Sequence, residues 1–243
     1  MDASGSDLVA VAFGAADPAN LARFWAHGLG WEVGPTVDGA IDLVPTDGTA
    51  VTLRFEPLAD DQTSRKRVHL ELTTSSDGDQ QRTADELVAL GGRHVDVGQT
   101  PEDGHLVLAD PEGNELCIIE PTNRFLGGCP RFGCINGDGT RATGVFWSEV
   151  LGYPFTWDQD DETAIRNPDG SGPMLSWGGA PLNPKPGRNR LQPVLAARTG
   201  VQPEAELARL LRIGAALIDR TDTRAHLRDP DANELLLRLG EQG

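Results

Sequence analysis

Hydrophobic and polar residues alternate strictly in several short stretches of the chain. In "VHLELTT" (68–74), Val68, Leu70 and Leu72 fall on one side of an extended strand and His69, Glu71 and Thr73 on the other. That is the signature of a sheet with one packed and one polar face. "VTLRFEP" (51–57) repeats it, with Val51, Leu53 and Phe55 against Thr52, Arg54 and Glu56. The period changes where Leu21, Phe24, Trp25 and Leu29 share one helical face, which predicts a helix over about 19–28 with Trp25 in the core. Further strands are predicted near 8–13, 40–44, 105–109 and 115–120, and a second helix over 83–90, ended by Gly91 and Gly92. "DPEGN" (110–114) is turn chemistry, because Asp and Asn satisfy local backbone groups and Gly113 tolerates positive φ. The order is βαβββ, followed by βαβββ again.

The pattern is then written a second time. "RFWAHGLGWEV" (23–33) returns as "VFWSEVLGYPF" (145–155) at an offset of 122. "LVALGGRHVD" (87–96) returns as "LLRIGAALID" (210–219) at 123, and "LADPEGNEL" (108–116) as "LRDPDANEL" (227–235) at 119. Three blocks in the same order identify an internal repeat. It predicts two homologous α+β domains, 1–121 and 131–243, joined by a linker, 122–130, of turn-rich composition.

Composition narrows the partners. A net charge of −16 repels nucleic acid and anionic membrane surfaces and mildly favours a cationic or neutral ligand. No apolar run approaches the ~20 residues of a membrane span, and the N-terminus has no basic, then apolar, secretory pattern. With three cysteines, Cys117, Cys129 and Cys134, the odd count fits a reducing cytoplasm. Cys129 and Cys134 lack a second Cys/His pair at zinc-site spacing, so no zinc site is expected. Nor does a phosphate loop, a GxSxG elbow or a Cys–His dyad context occur.

The "DP…LARFWAHGLGWEV" opening, the central "RVHLEL", the "LVALGGRHVD" passage and the closing "LADPEGNELCIIEP" resemble the vicinal oxygen chelate superfamily, in particular its glyoxalase-like and bleomycin-resistance-like branch. The resemblance spans nearly the whole chain, once per half. It implies tandem glyoxalase-like domains, each of two βαβββ modules curling into a cup with the ligand on the concave face. Metal-using members supply His, Gln or Glu ligands from four strand positions. Those positions fall here on Ala10, Thr52, His69 and Cys117 in the first half and near Phe132, Met174, Gln192 and Leu236 in the second. One plausible ligand per cup is too few for a divalent site, so neither a metal nor another cofactor is expected.

By alternation, the first cup is expected to hold Thr52, Arg54, Arg67, His69, Glu71 and Cys117, with His69 and Glu71 as candidate proton-transfer groups. The second is expected to be more apolar, around Met174, Ser176, Gln192 and Leu236 with Trp157 at its rim, the character of an organic-ligand pocket. Two readings follow for a monomer or homodimer. One is a metal-independent binder of a small organic molecule, cationic or aromatic in character, of the drug-sequestration or natural-product kind. The other is a metal-independent isomerase, cyclase or lyase of secondary metabolism using His69 and Glu71. A metal-dependent glyoxalase or dioxygenase ranks third.

Overall fold

The computed structural model describes residues 5–58, 63–64 and 67–240. Lys66, the first four residues and the last three lie outside the described residues. Four modules follow one another. The first is β1 (Ser6–Ala15), α1 (Pro18–Leu29), β2 (Glu32–Val37), β3 (Ala40–Val44) and β4 (Thr52–Pro57); a short β5 (Thr63–Ser64) follows. The second is β6 (Val68–Leu72), α2 (Asp77–Ala89), β7 (Arg93–His94), β8 (Leu106–Ala109) and β9 (Glu115–Ile118). The third is β10 (Phe132–Gly137), α3 (Arg141–Leu151), β11 (Phe155–Gln159), β12 (Glu162–Ile165) and β13 (Met174–Trp177). After β14 (Arg188–Asn189) comes the fourth: β15 (Leu191–Ala197), α4 (Pro203–Arg212), β16 (Ala216–Arg220), β17 (Arg224–Arg228) and β18 (Glu234–Arg238).

The helices begin and end for local reasons. Asp17 caps α1 by accepting from the Asn20 amide, and Gly30, at φ 71°, closes it in the left-handed region. Gly152, at φ 69°, does the same for α3. Helix α2 starts at Asp77, earlier than the apolar pattern suggests. Ser76 caps it through the Asp79 amide, and its first turn carries Asp77 and Asp79 near the positive end of the helix dipole. That turn has no apolar residue to betray it.

The modules do not pair as the order along the chain suggests. One eight-stranded sheet runs β16-β17-β18-β15-β1-β4-β3-β2, and the other β11-β12-β13-β10-β6-β9-β8-β7. The first module therefore shares its sheet with the fourth, and the second with the third. Strand β1 pairs antiparallel with β15 from Ser6↔Ala197 to Phe13↔Leu191, and β10 pairs with β6 from Phe132↔Leu72 to Gly137↔Val68. The grouping of Thr52 with His69 in one cup and of Met174 with Gln192 in the other is thus corrected. Each cup takes one module from each half.

Between the sheets, a single apolar cluster draws on all four modules, including Phe13, Phe24, Trp25, Leu70, Leu72, Phe132, Trp147, Leu195 and Leu237. Within each half the DP turn of the later module locks onto the helix of the earlier one. Trp25 Nε1 donates to Asp110 Oδ2 at 3.1 Å, and Trp147 Nε1 to Asp229 Oδ2 at 3.2 Å. Glu112 accepts from the Ala16 and Asp17 amides at the start of α1, as Asp231 accepts from Thr140 at the start of α3. Arginines tie the halves together. Arg190 Nη1 reaches Glu112 at 2.5 Å; in the mirrored position, Arg67 donates to Asn233 Oδ1 and to the Asp231 and Asn183 carbonyls. Arg67 is therefore a buried tether rather than a cup residue. It precedes β6, so the strand's alternation does not reach it.

Candidate functional site

The first cup is the concave face shared by modules one and four. Its floor is a row of registered neighbours, His226–Leu236–Val194–Ala10–Thr52, with Ala12 beside it. Ala10, Ala12, Val194 and Leu236 form a small apolar cluster of their own. A cavity of about 280 Å³ opens above them, lined among others by Ala12, Glu56, Gln192, Arg224, His226 and Leu236. Charge stands around it. Arg54 bonds Asp42 at 2.7 Å and Glu56 at 3.0 Å, and Arg224 reaches across from β17 to Glu56 at 3.0 Å. Only a strongly curved sheet lets side chains from β17 and β4 meet in this way. Gln192, which lines the cavity, donates to the Asn189 carbonyl. The Thr52 hydroxyl is committed to the Leu43 carbonyl.

Among the described residues, two buried nitrogens in this region have no hydrogen-bond partner: Nε2 of His226 and Nε of Arg238. Arg238 borders a small adjoining recess with Arg54, Glu56, Val194, Arg224 and Leu236. Burial, followed by the positive charge of Arg188, lowers the His226 pKa below its usual value, so the ring is neutral at pH 7. His226 was read from the sequence as a cup-rim or surface residue, and Arg188, Arg224 and Arg238 did not figure among the candidates. The alternation of "RAHLR" (224–228) was the available signal for Arg224 and His226.

The second cup joins modules two and three, and it is sulfur-rich. A row Met174–Cys134–Glu71–Cys117 crosses it, with Ser176–Asn136–His69 alongside. A β-bulge between Phe132 and Cys134 shifts the register. It puts Cys134, not Phe132, on the concave face, while Phe132 packs edge-on against Trp31 in the core. His69 Nε2 lies 3.5 Å from Glu71 Oε1, Asn136 Nδ2 lies 3.3 Å from the same oxygen, and Cys134 Sγ is 3.2 Å from Ser176 Oγ. Burial lowers the His69 pKa, but hydrogen bonds to Cys117 and Glu71 and their negative charge outweigh it and raise the pKa to about 10. The Cys134 thiol is pushed well up by burial and by the Glu71 charge.

This cup is closed. Leu126, only 3% exposed, joins Ile119, Cys134, Ala164 and Met174 in an apolar cluster against which Cys117 and Cys129 pack. Residues 122–130, read as a plain linker, thus fold over the concave face, and Arg166 pins them through the Gly127 and Gly128 carbonyls. Trp157, 39% exposed, meets Phe125 edge-on at 6.5 Å at this rim, not beside Gln192. The expected ligand set is therefore split. Thr52, Arg54, Gln192 and Leu236 belong to the first cup, and His69, Glu71, Cys117, Trp157, Met174 and Ser176 to the second.

The four superfamily metal positions can now be tested cup by cup. In the first they are Ala10, Thr52, Gln192 and Leu236, where two have no donor atom and Thr52 is committed to the backbone. They do not fit a metal. In the second they are Cys134, Met174, His69 and Cys117, a nitrogen and three sulfurs. One donor atom each of His69, Glu71 and Cys117 lie within 4.8 Å of one another. That donor set fits a thiophilic ion rather than a hard one.

Two eight-stranded mixed sheets built from four βαβββ modules around concave faces define the architecture of the vicinal oxygen chelate superfamily. Within it, the chain belongs to the glyoxalase-like domain family, which matches residues 10–119 and 134–237. Among solved structures it is similar to glyoxalase I from Zea mays, at 13% identity over 97% of this chain and 92% of that one, with a TM-score of 0.66. It is also similar to a glyoxalase/bleomycin resistance protein/dioxygenase family enzyme from Burkholderia phytofirmans PsJN, at 18% identity over 46% of this chain and 96% of that one, with a TM-score of 0.38. No curated protein matches it in sequence. No helix among the described residues is long and apolar enough to cross a membrane.

Proposed function

We propose that this protein binds a small organic molecule in its first cup and needs no metal ion to do so. The observation that carries the reading is the cavity of about 280 Å³ between an apolar floor and polar walls, the build of an organic-ligand site at the small end of the usual size range. Gln192 lines it, and His226 supplies a buried nitrogen that has no other hydrogen-bond partner among the described residues. The net charge of the chain argued for a cationic ligand. The walls argue otherwise, because Arg188, Arg220 and Arg224 stand there against Glu56 and Asp219. A compact ligand with an apolar body and an anionic group suits them better. The role that follows is sequestration or presentation of such a molecule, as in drug-resistance or natural-product chemistry.

Native mass spectrometry of the purified chain tests this, with identification of any co-purified molecule. Leu236→Trp, which fills the floor, is expected to abolish retention, and His69→Ala to leave it intact. Loss of retention in His69→Ala alone would instead favour a metal-independent isomerase, cyclase or lyase moving a proton between substrate and His69 or Glu71. That reading needs substrate to enter the second cup past Leu126.

A further inference from the structure

The first cup carries one cation that the described chain does not neutralise. Around the cavity, Arg190 pairs with Glu112, Arg220 with Glu204, and Arg224 with Glu56, which also holds Arg54. Arg188 lines the same cavity, yet among the described residues its guanidinium makes no hydrogen bond or ion pair. Asp219, the other carboxylate of the wall, accepts from the Arg220 amide at 2.8 Å.

The backbone is fixed on both sides of Arg188. Upstream, Lys185 Nζ donates to Glu234 Oε1 at 2.5 Å and to the Gly187 carbonyl at 2.9 Å. Downstream, the Asn189 amide donates to Glu234 Oε2 at 2.7 Å, and Asn189 Nδ2 to Asn233 Oδ1 at 3.3 Å. Glu234 and Asn189 are buried, and Arg188 pairs with Thr63 across β14 and β5. One buried carboxylate thus clamps the segment at two points, and Arg188 stands on a rigid ribbon. After burial, its charge is the largest cause of the lowered His226 pKa, which sets the guanidinium near the β17 wall of the cavity. A backbone held in place beforehand has little left to lose when a ligand arrives.

Charge and shape select the ligand. One unpaired guanidinium balances one negative charge, whereas a phosphate dianion would bring a second towards Glu56 and Asp219. The planar N–H fork of arginine matches the two oxygens of a carboxylate. Ala10, Ala12, Val194 and Leu236 give the rest of the molecule an apolar floor, and a cavity of about 280 Å³ keeps that body small.

We propose that the first cup selects small monocarboxylic acids, with Arg188 receiving the carboxylate and the floor receiving the apolar body. This rests on the reading of the first cup as a binding site. Arg188 lies outside the four superfamily metal positions, on the ribbon that precedes the fourth module.

Ligand-observed NMR titration of the full chain tests the proposal with matched acid and amide pairs. Suitable probes are 3-phenylpropionate with 3-phenylpropanamide and 2-naphthylacetate with 2-naphthylacetamide. Each acid should bind at least about tenfold more tightly than its uncharged amide, the scale of one charge-assisted hydrogen-bonded pair. Arg188→Gln should erase that preference by weakening the acids while leaving the amides within about twofold, and Arg188→Lys should fall between. Arg212→Gln, the same charge change on the exposed side of α4, should alter neither. Arg188 is exposed, so its variants are expected to fold, and circular dichroism checks it. Leu236→Trp should weaken acids and amides alike. Equal binding of acids and amides that remains sensitive to Leu236→Trp, or an acid preference that survives Arg188→Gln, overturns the role of Arg188 and leaves the binding site standing. No binding by any probe, or binding indifferent to Leu236→Trp, overturns the binding site and this inference with it.

Discussion

Replacing Trp25 by Phe probes the lock that joins the first two modules. Trp25 Nε1 is one of four donors to the Asp110 carboxylate. The others are the Glu112 amide at 3.0 Å, the Asn114 amide at 2.9 Å and Asn114 Nδ2 at 2.7 Å. Both Trp25 and Asp110 are fully buried. A hydrogen bond to a charged group contributes about 1.5–3 kcal/mol, and the space left by the missing ring atoms costs about 1 kcal/mol more. Phe24 and Phe13, whose ring centroids lie 5.8 and 5.3 Å from that of Trp25, are themselves fixed in the core and cannot fill it. The expected destabilisation is therefore about 2.5–4 kcal/mol. For a chain of this size that lowers Tm by roughly 5–16 °C, at about 2–4 °C per kcal/mol. Urea unfolding followed by far-ultraviolet circular dichroism measures it, with Trp147→Phe as the repeat's own replicate. A double-mutant cycle with Asp110→Asn should give a coupling of about 1 kcal/mol or more. Single-mutant losses below about 1 kcal/mol, or additivity within about 0.3 kcal/mol, would refute the reasoning.

Residues 1–130 expressed alone leave β1 without β15 and β6 without β10, so each sheet is cut through its middle. Gel filtration and circular dichroism should find no folded monomer, and co-expression with 131–243 should restore one; a stable monomeric half would contradict the cross-half pairing. The pKa of Asp229 is raised to about 6, chiefly by burial, against 3.8 unperturbed. Its folded form holds a proton more tightly than its unfolded form, so its contribution to stability is complete below about pH 4 and lost as pH rises through about 6. Asp229→Asn should flatten the stability profile across that window, as read from urea midpoints between pH 4 and 7. Leu126→Ala should cost about 2–5 kcal/mol and speed alkylation of Cys117 by iodoacetamide, by uncovering the second cup; an unchanged alkylation rate would mean that Leu126 does not close it.

Local pattern carried much of this protein. Alternation in 51–57 and 68–72 put Thr52, Arg54 and Glu56, and His69 and Glu71, on concave faces, and the structure has them there. Helical spacing put Trp25 and Trp147 in the core, and both are buried. These properties depend on a residue's own strand or helix, so the chain can state them. The repeat blocks likewise announced four modules of one kind.

Which modules share a cup is a different sort of fact. The two halves are homologous, so β1 offers the same apolar and polar faces to β6 as to β15, and alternation is satisfied by either partner. Long-range contacts break the tie, among them Arg190 on Glu112, Arg67 on Asn233 and the fold of residues 122–130 over the second sheet. The bulge at Gly133, which exchanges Phe132 for Cys134 on the concave face, is also settled by pairing, because a one-residue slip is invisible until the partner strand fixes the register. That His69, Glu71 and Cys117 stand together is settled in the same way. Cys117 is far from His69 along the chain and next to Glu71 only across two parallel strands, a proximity that spacing in the sequence does not contain.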